Sequence, residues 1–152
     1  MDETTLKGLL DRGAALTDGQ LAGACVPAWR LLADEAYAGP SLTLLCRAAK
    51  KAACREAMLA TAQGGGALAG LLASPVAKQR KNAARLIGAL ELKALDRPLA
   101  AALAQEQTHM VRPSMLLALG ALGTEAARAA LAEHRVPPVA DETQRKHFAQ
   151  ET

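Results

Sequence analysis

Leucine and alanine recur along this chain every three or four residues, and glycine, proline and small polar residues cut the recurrence into short pieces. That period is helical. Leu6, Leu9 and Leu10 share one side of an amphipathic stretch over 3–12, which Gly13 ends. Thr17-Asp18-Gly19-Gln20 fits a capping box, with Thr at the N-cap and Gln at N3. The helix behind it carries Leu21, Cys25, Ala28 and Leu32 at helical spacing. Pro27 inside it predicts a kink or break, because proline removes a donor and clashes with the preceding turn. Gly39-Pro40-Ser41 is read as the end of that segment and the cap of a long helix over 41–62, which Gly64-Gly65-Gly66 ends. A short helix is expected at 67–73. Ser74-Pro75 pairs an N-cap with a proline at N1 and opens a helix from 76 to about 91. This helix turns Val76, Ala83, Leu86, Ile87 and Leu90 inward. Further helices are expected from Asp96-Arg97-Pro98 to about 106, over 109–122 with Pro113 confined to the first turn, and from Gly123-Thr124-Glu125 to about His134. Val136-Pro137-Pro138-Val139 then reads as extended chain. The expected division is a helical domain over 1–135 and a Pro-containing linker or flexible C-terminal tail over 136–152.

Composition sharpens the fold class to all-α. Apolar residues make up 51% of the 152 residues, but Trp29, Tyr37 and Phe148 are the whole aromatic inventory. The core must be built from Ala and Leu, which are strong helix formers, while the residues that favour strands are scarce. Small Ala side chains let helices approach closely. No apolar run reaches the length of a membrane span, and the acidic start Met1-Asp2-Glu3 has no secretory pattern. Cys25, Cys46 and Cys54 form no CxxC or CxxH spacing. On one continuous helix Cys46 and Cys54 would share a face about 12 Å apart, too far for a disulfide. All three read as small buried hydrophobes in a reducing, cytoplasmic setting.

The chain also repeats itself at an offset of 32. VAKQRKNAARLIGAL at 76–90 aligns with THMVRPSMLLALGAL at 108–122, so Arg80 falls on Arg112, Gly88 on Gly120 and Leu90 on Leu122. Two helices in 32 residues make one helical hairpin, and stacked hairpins bury what a lone pair cannot. Val111-Arg112-x-x-Met115-Leu116-x-Ala118-Leu119-Gly120 resembles the second-helix signature of HEAT repeats, particularly the HEAT-like repeats of the phycobilin-lyase type. Gln79-Arg80-x-x-Ala83-Ala84-x-Leu86-Ile87-Gly88 is similar to it, and Cys54-Arg55-x-x-Met58-Leu59 is a degraded third copy. The resemblance implies an α-solenoid of stacked antiparallel helix pairs, HEAT/armadillo-like, with about 3–4 repeats. It implies packing roles for Gly88 and Gly120, and structural roles for Arg80 and Arg112. In such repeats that arginine meets an acidic residue of a neighbouring repeat. Here Ser74-Pro75 fills the region where the acid often lies.

No catalytic constellation is found. Asp34-Glu35 and Asp141-Glu142 read as solvated pairs, His109, His134 and His147 stand apart, and the glycine triplet lacks the strand and the Lys-Ser/Thr of a phosphate loop. No cofactor or metal site is expected. Charge is the informative feature. Residues 1–40 hold three Lys/Arg and six Asp/Glu, residues 41–93 nine and two, and residues 94–152 six and seven. The basic residues of the middle section are in phase. Arg47, Lys51 and Arg55, with Lys50 beside them, form one stripe; Lys78, Lys81 and Arg85 form another. The expectation is a non-catalytic binding or adaptor module whose basic face binds nucleic acid, RNA favoured over DNA, or an acidic protein. The Pro-Pro run adds the expectation of an N-terminal targeting domain in a larger nucleic-acid-modifying enzyme. The alternatives are a protein–protein scaffold or oligomerisation module, and a HEAT-like DNA glycosylase, for which aromatic platforms are too few. No membrane contact is expected, and a monomer is favoured.

Overall fold

Caps set where the first helices begin. The computed structural model describes residues 1–61 and 65–134, and every regular element among them is helical. Helix α1 (Glu3–Asp11) starts at Asp2, whose carboxylate accepts the Thr5 amide at 2.7 Å. This bond holds the Asp2 carboxyl below its usual range. Helix α2 (Asp18–Leu31) opens on the expected capping box. The Gln20 amide donates to the Thr17 hydroxyl at 3.2 Å, and the Thr17 amide donates to the Gln20 side chain at 2.9 Å. The break expected at Pro27 does not occur, and α2 runs on to Leu31. Ala24, Cys25, Ala28 and Leu31 are buried around the proline, so packing on both sides offsets the one lost hydrogen bond.

The long helix expected over 41–62 is two helices, α3 (Ala38–Ala48) and α4 (Ala52–Thr61). Hydrophobic phase explains the division. Continuing the buried stripe of α3, Leu42-Leu45-Ala48, at 3.6 residues per turn would carry Ala52, Arg55 and Leu59 into the core. The turn at 49–51 resets the phase, so α4 buries Cys54 and Met58 instead. Arg55 locks the turn by donating to the Ala49 carbonyl at 2.8 Å. Gly39, Pro40 and Ser41 form the first turn of α3 rather than a stop and a cap. First-turn amides lack an intrahelical acceptor, so proline is tolerated there. Ser41 is fully buried, with no partner for its hydroxyl among the described residues.

Helices α5 (Gly66–Leu71) and α6 (Ala77–Ala89) follow. Ser74 is not the N-cap of α6; Val76 is. The Ser74 hydroxyl accepts the Val76 amide at 3.1 Å and donates to the Gln79 side chain at 2.6 Å, which closes a turn ahead of the helix. A 3₁₀ turn at Lys93–Leu95 leads into α7 (Asp96–Gln105). Helix α8 (Arg112–Leu122) holds Pro113 in its first turn, as the pattern required, and ends at Gly123 with φ +61°. In α9 (Glu125–His134) the Thr124 hydroxyl accepts the Ala127 amide at 3.1 Å and donates to Asp96 at 2.8 Å, tying α9 to the start of α7.

Packing follows chain order. Helix α2 meets α1, α3 and α4; α3 meets α6; α6 meets α5 and α8; α7 and α9 meet each other and α8. Helices α3, α6 and α8 therefore stand side by side. One core runs through them, with Leu42, Leu45, Leu86, Ile87, Met115 and Leu119 fully buried. Each such side chain contributes roughly 1.5–3 kcal/mol of transfer free energy. Gly88 allows α6 and α8 to approach closely. A Cβ there would lie 3.0 Å from the Ala118 Cα. The cysteines are free thiols. Cys46 and Cys54 do not share a helix face, because the turn at 49–51 separates them. Burial, with Cys54 beside it, pushes the Cys25 thiol up to about 12, and burial pushes Cys46 up to about 11. Gly64 and the expected linker or tail at 136–152 lie outside the described residues.

Candidate functional site

The repeat arginines have firm structural partners. Arg80 donates to both carboxylate oxygens of Glu106, at 2.7 and 3.1 Å, to the Ser74 carbonyl at 2.8 Å and to the Thr108 hydroxyl at 3.3 Å. The Glu106 side chain is only 3% exposed. The Arg80 guanidinium holds the Glu106 carboxyl below its usual range, helped by the Thr108 amide and hydroxyl. Arg112 donates to the carbonyls of Leu103 and Glu106 at 3.2 and 3.0 Å. A cavity of about 640 Å³ lies over this network, lined in part by Ser74, Arg80, Gln105, Glu106 and Thr108. Its two charged groups, Arg80 and Glu106, satisfy each other. Glu106 was missed in the sequence because the acid was sought near Ser74-Pro75. It stands 32 residues further on, at the place of Ser74 in the next copy. The repeat offset itself was the signal that could have found it.

The two expected basic stripes are only partly brought together. Helix α6 carries Lys78 and Arg85 exposed and Lys81 half-buried. Helix α3, packed beside it, carries Arg47 exposed, with Lys50 just past its end. The two helices meet where the Cys46 thiol donates to the Asn82 carbonyl at 3.3 Å. Arg85 lies near enough to Cys46 to oppose the effect of burial on that thiol. Lys51 sits in the turn and shares Asp18 with Arg47, at 3.5 and 3.3 Å. Such exposed pairs are worth under about 1 kcal/mol, but they neutralise charge. Arg55 does not belong to the stripe. It is on α4, its guanidinium spent on the Ala49 carbonyl, because the chain changes helix between Lys51 and Arg55. Lys50, Lys78, Lys81 and Arg85 form no ion pair among the described residues.

An apolar row lies next to the basic one. Thirty-two residues after Lys78 and Arg85 stand Met110 and Leu117, which are 70% and 64% exposed. Between α6 and α8 a groove of about 350 Å³ is lined by Arg85, Gly88, Ala89, Ser114, Leu117 and Ala121, with Ala118 at its base. The sequence reading missed this row, because attention to charge passed over apolar residues at positions that their repeat equivalents leave in solvent.

Among the described residues no group of three or more His, Cys, Asp and Glu side chains is placed to hold a metal ion, and no helix is long and apolar enough to cross a membrane. No family model, curated protein or solved structure matches this chain.

Proposed function

We propose that this chain is a non-catalytic binding module, a short α-solenoid of HEAT type whose α3–α6 surface binds an acidic partner. The solenoid reading is supported by the repeat. The Arg80 guanidinium meets a carbonyl six residues before it, that of Ser74, and Arg112 meets that of Glu106, also six before. Of the two glycines to which the resemblance gives packing roles, Gly88 lies against Ala118, whereas Gly120 meets nothing within 4 Å among the described residues. The binding reading is carried by four neighbouring cations that pair with no carboxylate among the described residues, Lys78, Lys81 and Arg85 on α6 and Lys50 just past the end of α3. Unpaired cations on neighbouring helices raise the local potential and favour phosphates or carboxylates. The partner is nucleic acid, with RNA the first to test, or an acidic protein.

Fluorescence anisotropy with single-stranded RNA, structured RNA, duplex DNA and polyglutamate, each at two salt concentrations, tests this. Binding to at least one of them should weaken steeply with salt. Replacing Lys50, Lys78, Lys81 and Arg85 with Glu should abolish it and leave the circular dichroism spectrum unchanged. Binding unaffected by the four substitutions, or no binding of any polyanion at low salt, removes the basis for the reading.

The apolar row favours a second reading, a protein–protein scaffold. Met110 and Leu117 are exposed and apolar where the equivalent positions of α6 are basic, and an exposed apolar patch marks a protein contact.

A further inference from the structure

We propose that the groove between α6 and α8 docks an acidic amphipathic helix of a partner protein; this rests on the binding-module reading and names its partner class. The two rows have one origin and opposite chemistry. Positions 78, 81 and 85 on α6 and positions 110, 113 and 117, before and along α8, are the same outward places in successive copies of the repeat. They hold Lys78, Lys81 and Arg85 in one and Met110, Pro113 and Leu117 in the other. Helices α6 and α8 are packed together, and packed helices lie about 8–10 Å apart, so the cationic positions of one stand beside the apolar positions of the other. Arg85 and Leu117 face the same groove.

The groove is built to take side chains. Gly88, Ala89, Ser114 and Ala121 are small, and the missing Cβ of Gly88 lets Ala118 pack closely against α6, since a Cβ there would lie 3.0 Å from the Ala118 Cα. Leu117 rises at its edge, 64% exposed. A helix laid along this channel would press aliphatic residues at i, i+3 or i+4, and i+7 into it. Acidic residues along one margin of that apolar face would then meet Lys78, Lys81 and Arg85, whose charges no described carboxylate neutralises.

A nucleic acid fits the same surface less well. Single strands are held by stacking on aromatic rings, and α3, α6 and α8 carry none. Tyr37 lies ahead of α3 with its hydroxyl donating to Asp11, and Trp29 is buried on α2. A phosphate backbone following the cations would also lie against Met110 and Leu117, with nothing gained by covering them.

The test uses the full chain and labelled synthetic peptides of about 18 residues, five helical turns. One peptide carries a leucine stripe with glutamates along one margin. A second replaces the leucines with serine, and a third replaces the glutamates with lysine. The first should bind, and the other two should bind at least about tenfold more weakly. Leu117→Glu and the gentler Leu117→Ser should each weaken the first peptide about tenfold, with the circular dichroism spectrum unchanged because Leu117 is exposed. Arg85→Glu should weaken the first peptide and improve binding of the lysine peptide. Equal binding of the leucine and serine peptides, or indifference to both Leu117 variants, overturns the groove. If salt-sensitive binding of RNA or polyglutamate then persists and is lost with Lys78→Glu, Lys81→Glu and Arg85→Glu together, the basic-surface reading stands while the helix-docking inference falls. If neither polyanion nor peptide binds, both fall.

Discussion

Arg80 before the middle of α6 and Arg112 at the start of α8 both reach back six residues to a carbonyl, at 2.8 Å and 3.0 Å. Arg80 also takes the buried carboxylate of Glu106, whereas Arg112 has only carbonyl partners among the described residues. The glycines divide in the same way. A Cβ on Gly88 would press into Ala118, while a Cβ on Gly120 would meet nothing within 4 Å among the described residues. Ala84 is fully buried, and Leu116, its equivalent, is only half-buried. One local pattern thus has two outcomes, and the difference is the neighbour. Helix α6 has α3 on one side and α8 on the other, and the features of α6 that address a following helix are all engaged. On α8 Gly120 and Leu116 meet no following helix in this way among the described residues. A signature residue in a repeat acquires its energetic weight from the copy beside it.

The largest contrast should come from the arginines. Arg80→Ala leaves the Glu106 carboxylate buried without its countercharge, with Thr108 still donating to it at 3.1 Å, and should cost about 3 kcal/mol. Arg112→Ala removes two hydrogen bonds to carbonyls and should cost roughly half as much. Urea unfolding of both variants gives the comparison, and equal losses would show that the carboxylate adds nothing.

Acid should single out the same pair. The Glu106 carboxyl is held below its ordinary value of 4.5 in the folded chain, chiefly by Arg80. Its contribution is therefore fully present above about pH 4.5, the unfolded value, and is lost as the pH falls through the lower folded value. Glu106→Gln should be less stable than the parent at neutral pH, and its stability should fall less between pH 4.5 and 3. Parallel pH profiles for the two proteins would dissociate the pair from acid sensitivity.

The glycines should separate by sign. Gly88→Val must push α8 away and should cost about 2 kcal/mol. Gly120→Ala meets open space in a helical position and should stabilise by roughly 0.5–1 kcal/mol, through helix propensity and a less flexible unfolded chain. Thermal melts of the two variants decide this, and destabilisation by Gly120→Ala would mean that position 120 is already occupied in solution. The smallest effect belongs to the outward faces. Lys78→Glu and Leu117→Ser should each change stability by less than about 0.5 kcal/mol, since neither side chain holds the core together. A larger loss would assign these residues to folding instead of binding.

The helical character of the chain, the capping box at Thr17, the confinement of Pro113 to a first turn and the 32-residue repeat were legible in the amino-acid order. Each depends on residues within a few turns of one another, where propensity, capping and periodicity act. The candidate surface was half legible. The phase of Lys78, Lys81 and Arg85 is a property of one helix and was correctly grouped. Arg55 was not, because the turn at 49–51 contains no glycine or proline and exists to bring Cys54 and Met58 into the core. Pro27 was read as a kink or break by a local rule, and α2 runs through it without a break because packing on both sides offsets the lost hydrogen bond.

What the sequence determined by itself is therefore the helical character of the chain, the capping box at Thr17 and the alternation of copies, because these are short-range effects of backbone and side chain. Only the tertiary structure decided that Glu106 answers Arg80, that Asp18 neutralises Arg47 and Lys51, and that Arg85 and Leu117 share a groove. Those are contacts between residues about 26 to 33 positions apart in the chain. They depend on the angle and register at which one helix lies against the next, which no local pattern specifies.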